Sequence, residues 1–207
     1  MRLEIGHYIV PDSKKNFDTV EDACFITSKP EKAVFGVADG LGGWAINYGF
    51  NVGAYARAIM NASREFVEKN GVIRPTDILD YASRGVNLDG GATVVIASFD
   101  GKELQIANLG DCGARIIRKG ETILKTKEQS IGLNLPYHVG RVQGKRVGYG
   151  ADDADVYRVG LQVGDTVVLG SDGLFDNMHN WRIANIVGSS KPLEEQAKEL
   201  AMNAFEL

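Results

Sequence analysis

Four pairs of short apolar runs, each pair joined by only a few residues, place the strongest constraint on this chain. Residues 23–27 and 33–38 flank the polar turn 28–32. Residues 93–99 and 104–108 flank Asp100-Gly101, and residues 114–118 and 122–124 flank Lys119-Gly120. Residues 155–161 and 166–169 bracket Val163-Gly164-Asp165. Runs this short and this rich in Val, Ile and Ala suit strands. Connections this short suit antiparallel neighbours, because a parallel crossover needs a dozen residues or more. A regular βαβ alternation is thereby excluded.

Helical periodicity is confined to a few segments. Val52, Tyr55, Ile59, Ala62 and Phe66 recur at steps of three and four, forming one apolar face that ends at Asn70-Gly71. Pro75 opens a second helix over 76–84, and 181–187 reads as a third. A fourth begins at Leu193, with Leu193, Ala197, Leu200 and Ala201 on one face. The expected class is therefore α+β, a mainly antiparallel sheet sandwich with helices packed outside.

The net charge of −4 carries no block of like sign, which argues against nucleic acid or an anionic membrane as the main partner. No apolar run approaches the roughly 20 residues of a membrane span. The opening Met1-Arg2-Leu3-Glu4-Ile5 has neither a signal-peptide nor a transit-peptide pattern. Cys24 and Cys112 sit far apart in apolar contexts, without a CxxC pair or a histidine cluster. They read as two reduced thiols of a soluble intracellular protein.

Chemistry points to three acidic groups. Glu21-Asp22 precedes the apolar run Ala23-Cys24-Phe25-Ile26. Val37-Ala38 runs into Asp39-Gly40-Leu41-Gly42-Gly43-Trp44, and Leu169-Gly170-Ser171 into Asp172-Gly173-Leu174-Phe175-Asp176-Asn177. A strand end held in a sheet fixes a carboxylate, and a following glycine lets backbone and ligand approach closely. Carboxylates gathered in this way repel one another and take up protons unless a divalent cation relieves them. Oxygen-only ligands suit Mg²⁺ or Mn²⁺ better than zinc. A lone Asp-Gly, such as Asp100-Gly101, reads as a turn.

In this order, Glu21-Asp22-Ala23, Val37-Ala38-Asp39-Gly40-x-Gly42-Gly43, Gly91-Ala92-Thr93, Asn108-Leu109-Gly110-Asp111-Cys112-Gly113 and Gly170-Ser171-Asp172-Gly173-Leu174-Phe175-Asp176-Asn177 resemble the motifs of type 2C metal-dependent serine/threonine protein phosphatases. The Asp-Gly-x-Gly-Gly-Trp and Asp-Gly-Leu-Phe-Asp-Asn-Met forms are most similar to a eukaryotic branch that includes mitochondrial members. The resemblance implies an αββα four-layer sandwich and one phosphatase-like catalytic domain over 1–207. It implies a phosphorylated protein as substrate and a cytoplasmic or mitochondrial location. It also implies two divalent cations, Mn²⁺ or Mg²⁺, with a weaker third. Asp39 would bridge the pair, the Gly40 carbonyl and Asp172 would ligate it, and Asp22, with Glu21 through water, would complete the set. Asp89 would serve the third cation. A metal-bridging hydroxide would attack phosphorus directly, with Asp39 and Asp172 as the catalytic carboxylates. Asp111 and Gly91-Ala92-Thr93 would be structural. Residues 130–148 match the flap that shapes substrate access, with a passive surface loop as the other reading.

The chain departs from the family pattern in three places. Leu41 stands where many relatives carry a histidine after Asp-Gly, leaving His138 as a poor substitute for a general acid. No arginine lies near the first acidic motif, where Lys14 or Lys15 would offer only a point charge. A Gly-Gly-x-x-Asp-Asp strand that would add a metal ligand is absent, so the expected domain is C-terminally incomplete and lacks its last strand. Two further readings therefore stay open: a non-catalytic phosphatase-like regulatory or binding domain, and an unrelated metal-binding structural domain.

Overall fold

A computed structural model describes residues 3–10 and 20–206. The short apolar runs form strands, and the strands build two antiparallel sheets. The larger sheet follows the order β1 (Asp22–Lys29), β2 (Lys32–Gly40), β3 (Gly90–Phe99), β4 (Glu103–Leu109) and β9 (Asp155–Gly160). A hairpin of β7 (Val139–Val142) and β8 (Lys145–Gly148) joins the start of β3. The smaller sheet is β10 (Thr166–Gly170), β5 (Gly113–Arg118) and β6 (Glu121–Lys125).

Three of the four strand pairs expected from sequence are hairpins. The fourth is not, because β9 pairs with β4 in the larger sheet and β10 with β5 in the smaller. The turn between them carries the chain from one sheet to the other. Asp165 fixes that corner: its carboxylate accepts hydrogen bonds from Nε and Nη2 of Arg118 and from the amide of Gln162. The Arg118 guanidinium holds Asp165 below the usual carboxylate range.

Alternation along the strands sorts side chains into separate cores. Phe25, Val34, Ala38, Val94 and Ile96 face α2 (Val52–Asn70) and α3 (Pro75–Gly85), whose Tyr55, Ile59, Met60, Ile78 and Leu79 are buried against them. Val95, Ala97, Phe99 and Ile106 face Ala114 and Ile116 between the sheets. Ile117 and Val168 meet Ile183, Val187 and Leu200 from α5 (Asn180–Val187) and α6 (Leu193–Phe205). The layers therefore run helix, sheet, sheet, helix. Strand β3 is buried along its whole length, as expected of a strand covered on both faces.

Local chemistry sets the helix ends. The Asn51 side chain accepts from the amide of Ala54 at the start of α2, and Gly71 closes its end at φ 79°. The buried side of α6 differs from the sequence expectation. Leu200 is buried as expected, but so are Gln196 and Ala204, while Leu193, Ala197 and Ala201 are partly exposed; all six line a cleft of about 730 Å³ shared with residues 3–10, β1 and β10. Gln196 turns inward because its amide donates to the carbonyls of Ser189 and Lys191, which the preceding loop leaves without helical partners.

Several elements were not legible in the sequence, the β7–β8 hairpin among them. Residues read as a glycine-rich turn form α1 (Gly42–Tyr48), and residues 172–175 form a single turn of helix, α4 (Asp172–Phe175). Among the described residues, no helix is long and apolar enough to cross a membrane. Cys24 and Cys112 are unlinked, and burial pushes both thiols up.

Candidate active site

The acidic residues meet because of strand register. Asp22 and Asp39 are direct cross-strand partners in β1 and β2, so their side chains leave the same face of the sheet. That face is the inner one, since Val37 and Phe35, two and four residues before Asp39, pack between the sheets. The third carboxylate comes from the other sheet. Strand β10 ends at Gly170, Ser171 follows, and Asp172 begins α4. The Ser171 hydroxyl donates to Oδ2 of Asp22 across 2.9 Å and ties the two sheets at this point.

The site is rich in negative charge. Burial, reinforced by Asp22 and Asp172, pushes the Asp39 carboxyl up to about 10. Burial also raises Asp22, against the hydrogen bonds from Ser171 and Asp39. The hydrogen bond linking these two lowers Asp22 and raises Asp39. The strongest influences on both residues are burial, a serine and other carboxyls, with no cation among them.

That combination fits a divalent metal. Three carboxyls from two rigid sheets face one another, and one must hold a proton for want of positive charge. Among the described residues no three His, Cys, Asp or Glu side chains already stand as an open cage of ligands. Asp39 is instead hydrogen-bonded to Asp22 and Asp172. Carboxyls closed on a shared proton can part around a cation by rotating their side chains.

The other residues singled out from sequence fall in different places. Glu21 lies beside the cluster, with its carboxylate against Gly42 and its charge felt by Asp22. Gly40 is held by a hydrogen bond from its amide to the Glu21 carbonyl. A Cβ there would lie 2.7 Å from the Val52 carbonyl oxygen, so only glycine allows this approach of β2 to α2. Asp89 is not drawn into the cluster by any contact in the structure. Its two carboxylate oxygens accept from the amides of Gln143 and Gly144, at 2.9 and 3.1 Å, and so cap the β7–β8 turn. Lys14 and Lys15 lie outside the described residues.

Asp111, assigned a structural role from sequence, sits closer to the chemistry. Burial raises its carboxyl first and Asp172 second, while a hydrogen bond from Thr93 opposes them. Asp176 likewise feels Asp172 after burial. The signal for Asp111 was present in the sequence: Asn108-Leu109-Gly110-Asp111 is another apolar strand end that runs into an aspartate. Within the flap region, residues 139–148 form the β7–β8 hairpin, and 130–138 stay irregular apart from a bridge between Ser130 and Pro136. His138 precedes it, with Nδ1 2.9 Å from the Pro136 carbonyl and its ring edge-on to Trp44 at 5.2 Å.

Comparison with known proteins agrees with this geometry. The model of the family "Protein phosphatase 2C" matches residues 4–132. The chain is 34% identical over 202 residues to "Probable protein phosphatase 2C 71" of Oryza sativa subsp. japonica, covering 96% of this chain and 42% of that protein. It is 30% identical over 212 residues to "Protein phosphatase PTC7 homolog" of Xenopus laevis, covering 94% of this chain and 71% of the relative. Among solved structures, the photosystem II phosphatase PBCP superposes with a TM-score of 0.89 at 34% identity, covering 96% of this chain and 78% of that one. The catalytic domain of the serine/threonine phosphatase PstP, solved with two manganese ions, shares the fold with a TM-score of 0.65 at 17% identity, covering 98% of this chain and 89% of that one. This chain belongs to the protein phosphatase 2C family, whose members are metal-dependent. It spans between 34% and 71% of the length of these curated relatives, and less than two thirds of most of them.

Proposed function

We propose that the protein removes phosphate from phosphoserine and phosphothreonine in protein substrates, using two divalent cations, Mn²⁺ or Mg²⁺. The observation that carries this reading is the meeting of Asp22, Asp39 and Asp172 from two different sheets at one end of the sandwich. Asp22, Asp39, Asp172 and the Gly40 carbonyl would hold the cations. Glu21 stands behind Asp22. Asp111, through its interaction with Asp172, is a better candidate than Asp89 for a weaker third cation.

When bound, the cations supply Lewis acidity and an activated water for in-line attack on phosphorus. The chain's own residues supply rigidity. Strands β1, β2 and β10 fix three carboxylates before substrate arrives, so little reorganisation is needed at the moment of reaction. Ser171 orients Asp22 through its hydroxyl. Leu41, whose amide donates to the Gly91 carbonyl, brings no proton to the leaving group.

The test is phosphate release from a phosphothreonine peptide by purified protein in Mn²⁺, with an EDTA control. We expect release that requires the metal. No release from protein with an intact far-UV CD spectrum would defeat the proposal and favour a non-catalytic binding domain.

A further inference from the structure

Trp44 lies two residues into α1, a helix that buries none of its residues fully. The indole is nevertheless closely fitted. Gly91 of β3 and Gly140 of β7 are cross-strand partners, so their missing side chains would leave the same face of the sheet. A Cβ on Gly91 would lie 3.3 Å from Cε3 and Cζ3 of Trp44, and one on Gly140 would lie 3.0 Å from Cη2. The indole therefore spans the bare glycine pair and substitutes for the side chains that the pair lacks. His138, just before β7, packs edge-on against the same ring.

This contact joins two parts of the site. On one side, α1 begins two residues after Gly40, and Leu41 is tied to β3 by its amide on the Gly91 carbonyl at 3.0 Å. On the other side, the β7–β8 hairpin is attached to the sheet through only three residue pairs, at Gly90, Gly91 and Ala92. Asp89 holds the hairpin at its tip. Trp44 holds it at its base, against the segment that carries Asp39 and Gly40.

We propose that Trp44 is a positioning residue that sets the β7–β8 hairpin against the Asp39–Gly40 turn and so governs how a phosphoprotein, rather than a small phosphate ester, reaches the carboxylate cluster. The inference rests on the phosphatase reading given above. A small ester needs only the cluster, which the strands hold without help from Trp44. Ala92 pairs with Val139 on one side and Gly40 on the other, so the hairpin base lies one strand away from the Asp39–Gly40 turn, where a polypeptide laid over the cluster meets it. Loss of the indole removes the ring that bridges Gly91 and Gly140 and loosens the base of the hairpin, which Asp89 still holds at its tip, so the penalty falls on polypeptide binding.

The experiment compares a phosphothreonine peptide with p-nitrophenyl phosphate, in Mn²⁺, for wild type, Trp44→Ala and Trp44→Phe. Trp44→Ala should raise KM for the peptide about tenfold while kcat/KM for the small ester changes by less than about threefold. Trp44→Phe, which keeps a ring over the glycines, should recover part of the difference. Gly140→Ala perturbs the same contact from the hairpin side and should show the same split, which covers the case of a poorly folded Trp44→Ala. Equal losses on both substrates, or an unchanged peptide KM in these variants, would overturn the inference. A wild type inactive on both esters would overturn the phosphatase reading and this inference with it.

Discussion

Asp39→Asn should stabilise the metal-free protein while abolishing its metal-dependent activity. The Asp39 carboxyl titrates at about 10 in the folded protein against 3.8 for an ordinary aspartate. At pH 7 the unfolded chain carries the carboxylate and the folded protein carries the acid, so folding must take up a proton. Three pH units at about 1.4 kcal/mol each set the cost at about 4 kcal/mol. Asp39 keeps a small exposed edge, and water there brings the figure towards about 2 kcal/mol. Asparagine has the same shape, needs no proton and still donates a hydrogen bond to Asp22 or Asp172. The sign follows from the raised folded value. The protonated carboxyl gives its full contribution below about pH 4, and that contribution falls as pH rises towards 10. Urea denaturation in EDTA at pH 6, 7 and 8 measures this directly. Wild type should lose up to about 1.4 kcal/mol per pH unit from this group, and the variant should lack that slope. The variant should be the more stable at pH 7 by about 2–4 kcal/mol. Parallel slopes, or a less stable variant in EDTA, would refute the charge-crowding argument.

Other perturbations test neighbouring parts of the site. Asp172→Asn should abolish Mn²⁺-dependent phosphate release and leave the far-UV CD spectrum unchanged; retained turnover in this variant and in Asp39→Asn would remove both residues from the catalytic set. Gly40→Ala forces a Cβ to within 2.7 Å of the Val52 carbonyl, so a thermal melt should show a loss of about 1–3 kcal/mol together with reduced Mn²⁺ affinity. Ser171→Ala removes a hydrogen bond that lowers Asp22, so protons should compete better for that carboxylate. Its Mn²⁺ affinity by calorimetry should fall several-fold at pH 6.5, within the roughly tenfold expected of one hydrogen bond, and approach wild type at higher pH.

The hairpins could be read from the sequence because their turns are short and flanked by compact apolar runs, as at Asp100-Gly101. The β7–β8 hairpin could not. Its residues are mostly polar or glycine, β8 is exposed throughout, and its place depends on contacts with Asp89, Gly91 and Trp44 that are distant in sequence. Helix α1 was hidden by Gly42 and Gly43, which have low helix propensity and read as a loop. The sheet change between β9 and β10 was invisible because a turn of the same length can close a hairpin or a corner. Asp22, Asp39 and Asp172 were legible because strand ends followed by glycine keep a recognisable pattern. Asp89 and Asp111 needed three dimensions to separate: both precede or follow glycine near β3 and β4, but only Asp111 faces the cluster.

Strand β3 forks along one edge. Its first residues pair with β7 and its last six with β4, and Thr93 lies at the division, opposite Asp39 in β2. Amide hydrogen exchange should register this fork. Protons beyond Thr93 lie between two long neighbours in a dry core and should exchange only when the whole domain unfolds. Protons of the three-pair ladder before it should exchange through local opening of the hairpin. The boundary between the two regimes falls beside Asp39. The carboxylates thus have one wall that persists for as long as the protein stays folded and another that can open and close within the native state.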